Sequence, residues 1–94
     1  MELRVISRDD TMIELEIGGE DHTFMNVLKE ALLEIDSVAA ATYDMNPQQS
    51  GGQVEPVLTV KTSEGTDPLE VIGEAAQNIQ TRVDSFRETF KAVV

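Results

Sequence analysis

The sequence predicts an α+β fold: a two-layer ββαββα sandwich, with a four-stranded sheet and two helices on one face. Three observations predict it. Residues 12–17 alternate strictly, with Ile13, Leu15 and Ile17 on one side and Glu14 and Glu16 on the other, the pattern of a strand with one solvated face. Phe24, Val27, Leu28, Ala31, Leu32 and Ile35 then fall at i, i+3, i+4, i+7, i+8 and i+11, one face of a helix. Near the end, Ile72, Ala75 or Ala76, Ile79, Val83, Phe86 and Phe90 recur at spacings of three and four, a seam close to heptad regularity. With 94 residues the chain suffices for one domain, spanning 1–94.

Residues 2–8 alternate as a first strand, with Leu3 and Val5 on one face, Arg4 and Arg8 on the other, and Ile6 interrupting the polar side. Asp9 and Asp10 are turn residues, so the first two strands form a hairpin. Gly18 and Gly19 end the second strand. Asp21 is placed to accept the Phe24 amide as an N-cap, with its charge at the positive end of the helix dipole. The helix is expected to run to Ile35 or Asp36. Met25 and Leu33 widen its apolar stripe beyond what one small sheet needs, which predicts a second surface to bury.

Residues 37–45 form a weaker strand, in which Val38, Thr42 and Tyr43 favour β while Ala39, Ala40 and Ala41 do not. Residues 46–53, rich in Asn, Gln, Gly and Pro, read as a loop. Residues 54–62 follow as a strand with Leu58 and Val60 inward. Pro56, which has no N–H to donate, belongs at its start or on an edge. Asp67, Pro68 and Glu70 then mark a helix start: a cap, a proline in the first turn, and a glutamate three residues after the cap. About 24 residues make a helix on the order of 35 Å long. A compact chain of this length has a diameter of about 32 Å. The last turns, with Phe86 and Phe90, are therefore predicted to run past their own sheet.

The charge balance narrows the function. Eighteen acidic residues stand against seven basic ones, a net charge of −11. Such a surface repels phosphate backbones and anionic membranes, so direct nucleic-acid binding and membrane association are disfavoured. Acidic excess spread along the whole chain is the pattern of proteins working at high salt, and predicts a halophilic source and salt-dependent folding; an ordinary acidic cytosolic protein is the alternative. There is no cysteine, hence no disulfide framework and no thiolate metal site. Without a signal-like start or an apolar run of 18 residues, the chain is expected in the cytoplasm.

No catalytic, cofactor or metal site is predicted. His22 is the only histidine, so triad chemistry would have to pass through it. Beside Asp21 at a helix start it reads as a structural or interface residue, and with Glu20 and Asp21 it lacks a second His or Cys ligand. The carboxylate pairs lie at turns or on a solvated face, whereas acid/base work needs a sheltered pair with separated pKa values. Gly18-Gly19 and Gly51-Gly52 fit neither GxGxxG nor a P-loop. Phe86 and Phe90 are divided between core and partner contact.

Residues 20–29, Glu-Asp-His-Thr-Phe-Met-Asn-Val-Leu-Lys, resemble the small α-like assembly subunits of multisubunit RNA polymerases, the L subunits of archaeal enzymes. That family opens its first helix with Asp-His-Thr-Leu-x-Asn-x-Leu-Arg/Lys. Here His22, Thr23, Asn26, Leu28 and Lys29 match, and Phe24 replaces the leucine. The likeness continues through residues 30–33, residues 38–43 and the Asp67-Pro68 helix start, covering nearly the whole chain. It departs after Tyr43, where the family has a Pro-His-Pro-like turn and this chain has Asp44-Met45-Asn46-Pro47. The resemblance implies a non-catalytic scaffold whose helices pack on those of a larger α-like polymerase subunit, of the archaeal D type, in a heterodimer that nucleates assembly of a DNA-dependent RNA polymerase. By position, Phe24, Met25, Leu28 and Leu32, with Ile79, Val83, Phe86 and Phe90, would form the interface. Lys29 falls where the family has a basic residue, implying a contact with a neighbouring subunit; a solvated lysine is the plainer alternative. Such an obligate pair would bury more than about 2,000 Å². The competing reading is a ferredoxin-like regulatory module binding a small ligand at a homodimer edge, which requires a pocket with convergent polar groups.

Overall fold

Each strand pairs antiparallel with its neighbours, in the spatial order first, second, fourth, third along the chain, in the computed structural model, which describes residues 1–45 and 55–94. The elements are β1 (Glu2–Arg8), β2 (Met12–Gly18), α1 (His22–Leu33), β3 (Val38–Asp44), β4 (Val57–Thr62) and α2 (Pro68–Val93). This is the predicted ββαββα order. The predicted loop 46–53 and the first residue of the predicted fourth strand, Val54, lie outside the described residues.

The hairpin turn forms as its residues dictate. Asp9 Oδ1 accepts from the Thr11 amide at 2.9 Å and the Asp9 amide donates to the Met12 carbonyl at 2.8 Å. The strand faces follow the alternation except at two register shifts, one in β3 between Val38 and Ala40 and one in β1. Leu3 pairs with Ile17 and Val5 with Leu15, but the register shifts between Val5 and Ser7, so that Arg8 pairs with Ile13. Ile6 is thus the extra residue of a bulge. It turns Arg8 onto the helix side of the sheet, opposite to the face that simple alternation assigns. Pro56 precedes β4 and offers only its carbonyl, which accepts from Ile17 N at 2.8 Å.

The core lies between the sheet and the helices: Ile13, Leu15 and Ile17 from β2, Leu58 and Val60 from β4, Ala41 from β3, Met25, Leu28, Ala31 and Leu32 from α1, and Val71 and Ala75 from α2. The opposite sheet face is polar. There Arg4 grips Glu16 through two hydrogen bonds of 3.1 and 3.2 Å, and Ser7 donates to Glu14 at 2.7 Å. α1 starts on the predicted cap, Asp21 accepting from Phe24 N at 3.0 Å, but ends sooner than its periodicity suggests. The Ile35 amide bonds to the Leu32 carbonyl, three residues back instead of four, tightening the last turn before the chain enters β3.

α2 lies across the sheet. Its N-cap Asp67 accepts from Leu69 N at 3.0 Å and is held at 3.3 Å by Arg8 of β1. Its first half packs over β2, β4 and α1. Arg82 then forms an ion pair with Glu34, the C-cap of α1. The 26 residues of α2 span about 39 Å. The outer strands of a four-stranded sheet are only about 15 Å apart. The molecule accordingly measures 50 × 35 × 17 Å, with a radius of gyration of 14.9 Å against about 12 Å for a compact chain of its length.

Candidate functional site

The second half of α2 has no cover among the described residues. Every residue from Gln80 to Val94 is exposed. Phe86 is 71% exposed, Phe90 53%, Val83 48% and Val93 75%. Together with half-buried Ile79 they sit at the alternating steps of four and three that keep one stripe on one side of a helix. Their solvent exposure is a cost that no packing among the described residues removes, since each fully buried Val or Phe side chain is worth about 1.5–3 kcal/mol. Phe86 and Phe90 stack on each other, ring centroids 6.2 Å apart and planes 15° from parallel. Arg87 lies 3.7 Å from Asp84, so part of the polar side of this segment is paired within itself.

The charge of this segment departs from that of the rest of the chain. Residues 80–94 hold Arg82, Arg87 and Lys91 against Asp84 and Glu88, a net of +1. The preceding 79 residues hold four basic against sixteen acidic side chains, a net of −12. The change comes chiefly from basic side chains, three of the chain's seven falling in these fifteen residues, and in so acidic a chain it is a signal that hydrophobic periodicity alone misses.

The residues of α1 divide differently from the sequence expectation. Met25, Leu28 and Leu32 belong to the chain's own core, at 0%, 6% and 0% exposure, and present no surface to a partner. Phe24 is half-buried against that core. Instead Val27 and Leu33 are exposed. At 3.6 residues per turn they fall roughly 110° and 130° from the centre of the buried stripe, one on each flank, so a stripe read as a single face overestimated what the sheet covers on one flank and underestimated the outward reach of the other.

Two polar side chains of α1, His22 and Lys29, gather around Tyr43 of β3. His22 Nδ1 lies 3.3 Å from the Tyr43 hydroxyl with the two rings edge-on, and Lys29 Nζ stands 5.5 Å from the centre of the Tyr43 ring. Lys29 is thus steadied by an aromatic face. On the open sheet face, hydrogen bonds from Arg4 hold the Glu16 carboxyl below its ordinary range, and the same contacts raise the Arg4 guanidinium above its own. No described helix is long and apolar enough to cross a membrane.

An unfilled apolar helix end on an otherwise acidic α+β domain is what a dimerisation module presents. Residues 12–89 match the family model of the RNA polymerase Rpb3/Rpb11 dimerisation domain. The chain belongs to this family. Among its relatives, DNA-directed RNA polymerase subunit Rpo11 from Halorubrum lacusprofundi is 64% identical over 92 residues, covering 98% of this chain and 99% of its own length. The Rpo11 of Haloquadratum walsbyi is 58% identical and both chains are covered in full. The crystal structure of DNA-directed RNA polymerase subunit L from Thermoplasma acidophilum superposes with a TM-score of 0.84, covering 97% of this chain and 86% of that one; at 24% identity it shows the shared fold.

Proposed function

We propose that this chain is the Rpo11-type (L) subunit of a multisubunit DNA-directed RNA polymerase, that it has no catalytic role of its own, and that it pairs with the larger, D-type α-like subunit to nucleate assembly of the enzyme in the cytoplasm. The exposed Val83-Phe86-Phe90-Val93 stripe carries this reading. The area supports it too. The chain exposes 6194 Å², whereas a compact monomer of its mass exposes about 5,400 Å². An excess of about 800 Å² is one partner's share of a standard interface. The net charge of −11, spread along the chain, suits a protein working at high salt, and the near relatives come from Halorubrum lacusprofundi and Haloquadratum walsbyi.

Co-expression with the larger α-like subunit, followed by size-exclusion chromatography with light scattering in molar salt, tests the proposal. A stable one-to-one complex is expected. A folded monomer that ignores the larger subunit overturns it, and a small ligand that raises the melting temperature while the larger subunit has no effect would favour the regulatory-module reading.

A further inference from the structure

Packing and local propensity both run out along α2 after Arg82. The ion pair of Arg82 with Glu34 is a tie between two side chains that are each more than half exposed. Among the described residues, no side-chain hydrogen bond or ion pair joins residues 83–94 to another element; Arg87 pairs only with Asp84 of the same helix. The residues themselves are poor helix formers. Thr89, Val83 and Val93 are β-branched, Phe86 and Phe90 are aromatic, and the short polar Asp84 and Ser85 compete for the backbone. Asp84 with Glu88, and Arg87 with Lys91, also set like charges four residues apart, against the one attraction of Arg87 for Asp84. The inner half of α2 supplies the helix nucleus, so each outer turn stands on propagation alone, and these residues propagate poorly.

We infer that the outer turns of α2, from Val83 onward, hold their helical form only under the partner: in the free chain they are frayed, and pairing folds them. The inference rests on the heterodimer proposed above and adds how its interface forms. Covering the stripe of Val83, Phe86, Phe90 and Val93 supplies the support that the segment lacks alone, and burial of those side chains offsets the ordering of the backbone. Recognition and folding are then a single step, and part of the interaction energy is consumed in ordering the segment. Affinity for the partner therefore depends on helix propensity even at positions turned away from the partner. Ser85 and Glu88 are such positions, because at 3.6 residues per turn both lie on the side of the helix away from the stripe. The free chain, in turn, presents no rigid apolar helix to other proteins before its partner arrives.

Amide hydrogen exchange of the full chain in molar salt, alone and in the heterodimer, reads this directly. In the free chain the amides of residues 84–93 should exchange as in an unfolded peptide, while those near Val71 and Ala75 are slowed by about 100-fold or more. In the heterodimer both sets should be slow. In parallel, Ser85→Ala with Glu88→Ala should bind the larger subunit at least about tenfold more tightly than Ser85→Gly with Glu88→Gly, the factor that two alanine-to-glycine exchanges carry in a helix interior. The free forms of the two variants should melt at the same temperature. Outer amides protected in the free chain, or equal affinities of the alanine and glycine variants, overturn the inference while the heterodimer stands. Failure of the larger subunit to bind at all overturns both.

Discussion

The two halves of α2 obey the same periodicity and meet different fates. Between Pro68 and Ile79 the stripe is spent on the chain's own core, with Pro68, Val71 and Ala75 buried. Beyond Gln80 the same stripe, now richer in aromatic area, faces water. What separates them is the geometry of a crossing: a helix of about 39 Å laid across a sheet about 15 Å wide must overhang. The Arg82–Glu34 ion pair marks the point of departure. Hydrophobic periodicity therefore reports that a face will be buried, not which polypeptide buries it. Charge separates the two halves: the inner one carries Glu70 and Glu74 and no basic residue, the outer one Arg82, Arg87 and Lys91 against Asp84 and Glu88.

The sharpest way to break this comparison is to charge the outer half. Phe86→Asp combined with Phe90→Asp should weaken capture of the larger α-like subunit by at least about 100-fold, since interface aromatics of this kind cost about 2 kcal/mol or more each when lost and 1.4 kcal/mol is a factor of ten. Heat denaturation of the isolated variant should match the parent, because both rings are more than half exposed. A large drop in stability with binding retained would make the outer half part of the fold after all.

The converse substitution tests the inner layer. Leu32→Ala removes a fully buried side chain from between α1 and the sheet and should cost about 2–5 kcal/mol, read from urea or thermal unfolding in molar salt. For a domain of this size each kcal/mol lowers the melting temperature by about 4–8 °C. Binding to the larger subunit by the fraction that remains folded should be unaltered. Unchanged stability with binding abolished would return Leu32 to the interface, where the family resemblance places it by position.

The contrast also explains what the sequence could and could not tell. Element order, both aspartate caps and the overhang of α2 were legible because each depends on local spacing: Asp21 three residues before Phe24, Pro68 after Asp67, a stripe longer than any small sheet. The assignment of Met25, Leu28 and Leu32 to a partner was not, because a stripe on α1 has no marker for where the neighbouring sheet stops, and these three turn inward while Val27 and Leu33 turn out. The face of Arg8 was hidden for a related reason. The bulge at Ile6 appears only when β1 is paired with β2, and one extra residue reverses every side chain beyond it.

The smallest effect belongs to the sheet face that neither half of α2 touches. Arg4 holds the Glu16 carboxyl below its ordinary pKa chiefly through hydrogen bonds. A carboxylate with a depressed folded-state pKa adds stability that is present above its unfolded value, near 4.5, and is lost as the pH falls through the folded one. The Arg4 side chain is 67% exposed, so solvent screens the pair and the gain is slight. Glu16→Gln should accordingly unfold a little more readily than the parent near neutral pH, and the two should converge once Glu16 is protonated in the parent. Acid titration followed by circular dichroism at constant high salt reads this directly. Capture of the larger subunit at neutral pH should be the same for both proteins; a loss comparable to that of the phenylalanine variants would place a partner on the open face of the sheet, and the division of labour along α2 would no longer account for assembly.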